Sequence, residues 1–187
     1  MNWVITADPT RIDRSAVHDF LSRQAYWSRG IPRVRVERAL DHSLCFGALA
    51  ADATDAATAA LTAQTAQTAQ TARTGPAPDA AATADSADAP LIGFARVVTD
   101  QATFAYLCDV YVLPAWRGRG VARALLAAIL AHPQLQGLRR LLLFTRDAHG
   151  LYAGQGFTPL AHPERGMERL QADLYTAAVT PAQDLSA

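Results

Sequence analysis

The sequence contains no lysine, and its only cysteines among 187 residues are Cys45 and Cys108. Without lysine, the chain cannot form the Gly-Lys-Ser/Thr ending of an ATP-binding Walker loop. The two cysteines lack metal-ligand spacing, so they predict neither a disulfide framework nor a metal site. The sequence shows no secretory signal and no apolar run long enough to span a bilayer. We therefore expect a cytoplasmic protein with no membrane partner.

Length and composition predict a single domain over 1–187, since 50% of the residues are hydrophobic and can fill one core. Residues 51–89 differ from the rest, being rich in Ala, Thr, Gln and Asp and poor in large apolar side chains. We expect an inserted low-complexity, disordered loop there, and a flexible C-terminal tail over 175–187. The insertion carries five aspartates and one arginine, so the remainder is basic and suits a polyanionic ligand. Nucleic acid is not expected, because no basic patch is interleaved with aromatic residues.

Hydrophobic periodicity predicts alternating strands and helices. Strands are expected over 3–6, 43–49, 91–99, 103–112 and 140–145, and helices over 9–21, from Pro32 onward and over 117–131. Asp8 or Thr10 is the expected cap of the first helix. The apolar face of the second is predicted to consist of Val34, Val36, Ala39 and Leu40, with Arg33, Arg35, Glu37 and Arg38 facing water. The middle strands should form an antiparallel meander turning at Asp100-Gln101, and strand 140–145 should return parallel to 103–112.

The most informative stretch is 110–126, where a strand meets a glycine and arginine turn that opens into an Ala/Leu helix. The first turn of a helix has free N–H groups and a positive dipole end, which together bind anions. Gly118 and Gly120 remove the Cβ atoms that would hold a phosphate away from the backbone. Arginines 117, 119 and 123 can add charge-assisted contacts. A dinucleotide fingerprint would need a third glycine where Arg123 stands.

The pattern Arg117-x-x-Gly120-x-Ala122, preceded by Val112-x-Pro114, resembles the acyl-CoA-binding signature of the GNAT (GCN5-related) N-acetyltransferase family. The resemblance continues through strand 140–145 to Tyr152 and the Gly156-Phe157 pair, and upstream to the hydrophobic strand 91–98. It covers 90–170 well and 1–50 weakly. The alternative is an ordinary strand–turn–helix crossover whose glycines only allow tight packing.

The resemblance implies an α/β (α+β) fold with a mixed central sheet of six to seven strands, flanked by about four helices. Two central strands should splay apart to admit the pantetheine arm of the cofactor, acetyl-CoA. The implied reaction is direct transfer of the acetyl group to a primary amine of a small molecule or a peptide, by a monomer or a homodimer. The expected cofactor-binding residues are Val110, Tyr111, Val112, Arg117, Gly118, Arg119, Gly120, Val121, Ala122 and Arg123.

For catalysis, the resemblance places Tyr152 at the position of the family's general acid, since a phenol is protonated at neutral pH and can donate to sulfur. Tyr152 could instead simply be packed at a helix–strand junction. Some relatives carry a glutamate where this chain has Cys108, so the base is open between Asp109 and His149. Many relatives also have an asparagine where Thr145 stands.

The amine acceptor is expected near Tyr26, Trp27 and Arg29, because the family binds it against the first two helices. The two aromatic rings could wall an amine site or belong to the core. Arg29 and Arg33 should repel a polyamine and favour an acceptor with an anionic group. Cys108 and Thr145 favour a rival function, a non-catalytic acyl-CoA-binding sensor, and a nucleotide-binding regulator is a third possibility.

Overall fold

The computed structural model describes residues 3–51, 89–171 and 174–175. Within these ranges the strands are β1 (Trp3–Thr6), β2 (Leu44–Ala50), β3 (Leu91–Thr99), β4 (Phe104–Val112) and β5 (Arg140–Leu142). The α-helices are α1 (Arg14–Arg23), α2 (Arg33–Asp41), α3 (Val121–Ala131) and α4 (His149–Ala153). The predicted insertion and C-terminal tail lie almost entirely outside the described residues.

The strands form one mixed sheet in the order β1-β2-β3-β4-β5. The first three pairings are antiparallel and the last is parallel, which confirms the predicted meander and the parallel return. The return strand is shorter than predicted, since it ends at Leu142 rather than at residue 145. Five strands are described, fewer than the expected six to seven. Residues 157–171 form no strand, and Pro159 and Pro163 there lack the N–H that a ladder requires.

The sheet separates two hydrophobic clusters. On one face, Phe94 and Tyr111 pack with Val17, Phe20 and other residues of α1 and α2. On the other, Ala95 and Val112 pack with residues of α3 and α4, including Leu125 and Tyr152. The alternation of strand side chains between faces explains this division. The result is a three-layer arrangement with a helical layer on each side of the sheet, as expected for the predicted fold class.

The first helix was predicted to start too early. Asp8 caps only a 3₁₀ turn, Pro9–Arg11, and Ile12 then adopts an extended conformation with its side chain buried. The α-helix starts at Arg14, because the carboxylate of Asp13 accepts hydrogen bonds from the first-turn N–H groups of Ser15 and Ala16 at 2.9 and 3.0 Å. The cap of α1 is therefore Asp13, not Asp8 or Thr10.

Two further helix predictions need correction. In α2, Val36 and Leu40 are buried as expected, but Val34 is 63% exposed and lies outside the apolar face. Two positions along a helix correspond to about 200° of rotation, so Val34 and Val36 cannot share one face. The third helix begins at Val121 rather than at residue 117, because Gly118 and Gly120 have left-handed φ values of 73° and 86°. No helix in the described ranges is long and apolar enough to cross a membrane.

Candidate functional site

A gap opens between β4 and β5. The two strands pair only where Phe104–Tyr106 faces Arg140–Leu142, whereas β4 continues to Val112. Two cavities flank this gap. One, of about 600 Å³, lies toward α2 and the loop before it; the other, of about 970 Å³, lies along β5 and α4. Phe144, Thr145 and Tyr152 line both cavities, so these residues stand between the two cavities at the gap.

Tyr152 reaches the gap from the α3 side of the sheet. Its side chain is buried at 8% exposure, and its ring packs edge-on to Phe157 with centroids 5.8 Å apart. Burial raises the pKa of the phenol to about 12, with smaller contributions from Tyr26 and Asp147. The hydroxyl therefore keeps its proton at neutral pH. Thr145 helps to place this residue, because its Oγ1 accepts a hydrogen bond of 3.1 Å from the N–H of Ala148, just before α4.

Asp109 and His149 lie on different cavities. Asp109 lines the smaller cavity, where its Oδ2 accepts from Arg96 Nε at 2.7 Å and its Oδ1 accepts from Trp27 Nε1 at 3.1 Å. His149, the first residue of α4, is exposed and lines the larger cavity. Each shares a cavity with Tyr152, but neither of these two cavities is lined by both Asp109 and His149.

Cys108 also lines the smaller cavity. Burial, followed by the charge of Asp109, raises the pKa of its thiol to about 12. The thiol is therefore protonated and a poor nucleophile at neutral pH. Among the described residues, no group of three or more His, Cys, Asp or Glu side chains could hold a metal ion.

The first turn of α3 leaves backbone N–H groups without a partner inside the helix. Gly120 is the N-cap of α3 and offers no side-chain cap, and the first α-helical bond runs from the N–H of Ala124 to the Gly120 carbonyl at 3.0 Å. The N–H groups of residues 121–123 therefore have no partner within the helix. A Cβ at Gly118 would meet no atom within 4 Å, so there is open space beside Gly118. This geometry suits an anionic group.

The arginines of this turn have different environments. Arg117 Nε donates to the Val112 carbonyl at 3.1 Å, which ties the turn to the end of β4. The guanidinium of Arg119 lies 5.1 Å from the ring centre of Trp116. Arg123 is exposed on the first turn of α3. The sequence predicted all three as phosphate contacts but did not reveal that Arg117 also braces the turn.

The three residues of β4 expected to bind the cofactor differ in how far their side chains can reach a ligand in the gap. Val110 is half-buried and lines the smaller cavity, and Val112 packs in the core on the α3 side. The side chain of Tyr111 is 6% exposed and stacks on Phe20, with ring centres 3.7 Å apart. Tyr111 could therefore contact a ligand in the gap only through its backbone.

Tyr26 and Trp27 form a wall of the smaller cavity rather than part of the core. They are 47% and 43% exposed, and their rings meet edge-on at 5.0 Å. Arg146, which the sequence analysis missed, places its guanidinium 3.8 Å from the ring centre of Tyr26. The sequence feature that could have indicated Arg146 was its position directly after the predicted strand 140–145, on the side where the gap opens. Arg29 is exposed and is not part of the lining.

Arg33, one of the two arginines expected to favour an anionic acceptor, does not line the smaller cavity. Arg33 Nε contacts Glu37 Oε1 at 2.7 Å, and Arg33 Nη2 donates to the hydroxyl of Ser15 at 3.0 Å. Its charge is thus paired on the surface of α2, outside the lining of the cavity. Arg146 does reach this wall, but its Nη2 lies 3.9 Å from Oδ2 of Asp147, which lines the same cavity.

Comparisons with known proteins agree on one family. A family model described as an acetyltransferase (GNAT) domain matches residues 82–159. A crystal structure from Xanthomonas campestris pv. campestris, described as a candidate acetyltransferase of the GNAT family, is 40% identical with a TM-score of 0.72; the match covers 94% of this chain and 98% of that one. A Gibberella zeae protein described as a candidate acetyltransferase is 28% identical over 155 residues, covering 81% of this chain and 76% of that protein. An aminoglycoside N(6')-acetyltransferase of Stenotrophomonas maltophilia is 36% identical over 86 residues, covering 40% of this chain and 56% of the enzyme.

Proposed function

Because the chain belongs to the GNAT acetyltransferase family, we propose that it transfers an acetyl group from acetyl-CoA to a primary amine of a small molecule or a peptide. One observation carries this proposal: Tyr152, a buried and protonated phenol, lines the cavities on both sides of the gap between β4 and β5. A donor on one side and an acceptor on the other could therefore meet at the same hydroxyl group.

Acetyl-CoA fits the residues at the end of β4. Its diphosphate would lie against the N–H groups of 121–123, in the open space beside Gly118. Arg119 lies in the turn before α3 and Arg123 in its first helical turn, and their positive charges would attract the diphosphate. The backbone of Val110 and Val112 would hold the pantetheine arm along the edge that β5 leaves unpaired. When bound, acetyl-CoA would supply the acetyl group as an activated thioester.

We assign the general acid to Tyr152. Burial keeps its proton on Oη at neutral pH, and a phenol in contact with both cavities can give that proton to a departing sulfur. His149 is our choice for the base, acting through water, because it is exposed and lines the larger cavity, which shares Phe144, Thr145 and Tyr152 with the smaller cavity of the amine. Asp109 suits that role less well, because both carboxylate oxygens already accept hydrogen bonds.

The acceptor would enter the smaller cavity. Tyr26 and Trp27 offer it aromatic faces, and Arg146 adds a positive charge at the same wall. One relative is named for acetylating aminoglycosides, which supports an amine as acceptor. Arg29 lies outside this cavity, and Arg146 Nη2 lies 3.9 Å from Oδ2 of Asp147, which also lines it, so the charges at this wall favour neither an anionic amine nor a polyamine.

The alternative function is a non-catalytic acyl-CoA-binding sensor. The chemistry of the smaller cavity favours it, because Cys108 holds its proton there and the carboxylate of Asp109 is paired with Arg96. In a sensor, the phosphate turn and the gap would bind the cofactor without an efficient base for the amine.

The first test is a calorimetric titration of the protein with acetyl-CoA, with CoA, ATP and NAD as comparisons. We expect selective binding of acetyl-CoA and CoA, and its loss in the Arg117→Ala, Gly120→Glu double variant. A screen of spermidine, amino acids, a peptide with a free N-terminus and an aminoglycoside follows, with release of the CoA thiol as the signal. Binding without transfer to any of these amines would favour the sensor. Equal binding of ATP or NAD would overturn the cofactor assignment.

A further inference from the structure

Asp109 occupies a bulge in β4. Phe94 pairs with Tyr111 and Arg96 with Cys108, so Asp109 and Val110 stand opposite the single residue Ala95. The φ of Asp109 is +53°, in the left-handed region that non-glycine residues rarely adopt. Aspartate, asparagine and glycine tolerate this region better than most residues. The bulge lies immediately before Val110, at the edge of the gap.

The carboxylate of Asp109 joins three separate parts of the chain. On one side it accepts from Arg96 of β3, whose Nη1 also donates to the hydroxyl of Ser43 at 3.1 Å. On the other it accepts from the indole N–H of Trp27, which is 82 residues away in sequence. The side chains of Arg96 and Asp109 are only 18% and 11% exposed. Water therefore competes little with this pair, and its geometry is well defined.

Trp27 needs such a contact. Its side chain is 43% exposed and forms part of the wall of the smaller cavity, between α1 and α2. The neighbouring backbone is held by hydrogen bonds such as Ser28 Oγ to the Leu21 carbonyl at 2.9 Å, but these do not orient the indole ring. A half-exposed ring without a polar anchor exchanges rotamers quickly. The edge-on contact with Tyr26 at 5.0 Å supports the ring from one side, and the bond to Asp109 is the polar contact that holds it on the cavity wall.

We propose that Asp109 is a positioning residue of the acceptor site, whose carboxylate holds the indole of Trp27 on the wall of the smaller cavity. Asp109 then acts on the amine through Trp27 and does not take its proton. The link also connects the acceptor wall to the bulged strand that borders the gap. This inference rests on the acetyl transfer proposed above for its kinetic consequences, but the contact itself is testable without turnover.

Two substitutions separate the roles of Asp109. Asp109→Asn tolerates the left-handed backbone and removes the negative charge, but its one amide oxygen cannot accept from Arg96 and Trp27 together. Both variants are therefore made in an Arg96→Gln background, where the glutamine oxygen accepts from the asparagine NH2 group and leaves the asparagine oxygen to accept from Trp27. Asp109→Gly also permits the backbone conformation, but it leaves nothing to bond the indole. A positioning role predicts that the glycine variant is impaired and the asparagine variant is largely rescued. A general base predicts equal loss of kcat in both, because neither can accept a proton.

The readout that does not need activity is the indole region of an amide-proton NMR spectrum. The chain has three tryptophans, and the Trp27→Phe variant identifies the signal of Trp27 by its disappearance. We expect this signal to shift and its exchange with water to accelerate in Asp109→Gly but not in Asp109→Asn. Asp41→Asn is the matched control, since it alters another carboxylate paired with an arginine, Arg14, outside both cavities.

The kinetic readout uses acetyl-CoA and the best amine of the screen. We expect KM for the amine to rise about tenfold in Asp109→Gly and in Trp27→Phe, with the dissociation constant of acetyl-CoA within twofold of wild type. An unchanged Trp27 signal in Asp109→Gly would overturn the proposal, as would equal losses of kcat in the glycine and asparagine variants. Failure to bind acetyl-CoA would instead count against the proposed function, and the NMR comparison would still decide the contact.

Discussion

Tyr152 packs in the cluster on the α3 side of the sheet, yet it also lines the cavity toward α2. The short pairing of β4 with β5 makes this possible, because the phenol can extend through the space where a longer ladder would stand. Burial and access are combined in one side chain. The sequence alternatives for Tyr152, a general acid or a packed residue at a helix–strand junction, are therefore compatible with each other.

Replacing Tyr152 by phenylalanine should lower kcat by about 100-fold, because the variant keeps the ring that packs against Phe157 but has no proton to give to sulfur. Binding of acetyl-CoA and the melting temperature should change little. Steady-state kinetics, calorimetry and thermal denaturation measure the three quantities. An unchanged kcat would show that Tyr152 is only a packed residue.

The pH dependence of the wild-type enzyme provides the control for this assignment. In the proposed role the proton donor is the neutral phenol, and burial raises its pKa to about 12, so the active form would be lost only as the pH rises toward that value. We expect no decline of kcat due to Tyr152 between about pH 7 and pH 10, where an ordinary tyrosine begins to ionise. An alkaline decline near pH 9 that is missing in Tyr152→Phe would contradict the raised pKa.

At the scale of the elements, the turn before α3 depends on two glycines in the left-handed region. Gly120 has φ of +86° and is the N-cap residue directly before the first turn of α3. Gly137 has φ of +72° and follows a 3₁₀ turn at Pro133–Leu135. The two positions share the same backbone constraint, and neither leaves close contacts for an added Cβ. They therefore form a matched pair.

Gly120→Ala and Gly137→Ala should each destabilise the fold by about 1–2 kcal/mol, since an L-residue is strained at these φ values. Only Gly120→Ala should weaken acetyl-CoA, by about tenfold, because it changes the conformation that presents the helix N–H groups. Thermal denaturation and calorimetric titration measure the two effects. If both variants lose stability equally and both keep full affinity, the turn is not the phosphate site.

The elements also show which parts of the fold the sequence could predict. The bounds of β1 and β3 were predicted correctly, and the glycine and arginine turn was found from its spelling alone. The bulge in β4 was missed, although Leu107, Val110 and Val112 all pack on the α3 side. A spacing of three between Leu107 and Val110 breaks the strict alternation of a strand and was the signal for it.

The site was predictable only where its residues are close in sequence. Residues 117–123 form a local motif, so their geometry follows from the turn itself. The contacts of Trp27 with Asp109 and of Arg146 with Tyr26 join distant segments, and they depend on how α1, α2 and β5 pack on the sheet. Composition and periodicity contain no information on such pairs, so only the folded chain shows how Tyr26 and Trp27 form the wall of the smaller cavity.

At the scale of the whole molecule, residues 52–88 stand between β2 and β3 in the sequence. The residues that flank this segment lie next to each other, because the N–H of Ala50 donates to the Pro90 carbonyl at 3.0 Å and Leu49 pairs with Leu91. A short hairpin turn could join β2 to β3 at this point.

We therefore expect that replacing residues 52–88 by Asn-Gly will leave the fold and the affinity for acetyl-CoA intact. A shorter loop lowers the entropic cost of bringing its two ends together on folding, so the melting temperature should stay the same or rise slightly. Thermal denaturation and calorimetric titration of the shortened protein measure both properties, and a variant with the same residues 52–88 in scrambled order is the control for length. A loss of affinity in the shortened protein that the scrambled variant does not share would mean that the insertion contributes by its length, for instance by keeping β2 and β3 in register. A loss in both variants would mean that its particular sequence takes part in the site, and the single-domain core proposed for the remaining residues would then be incomplete.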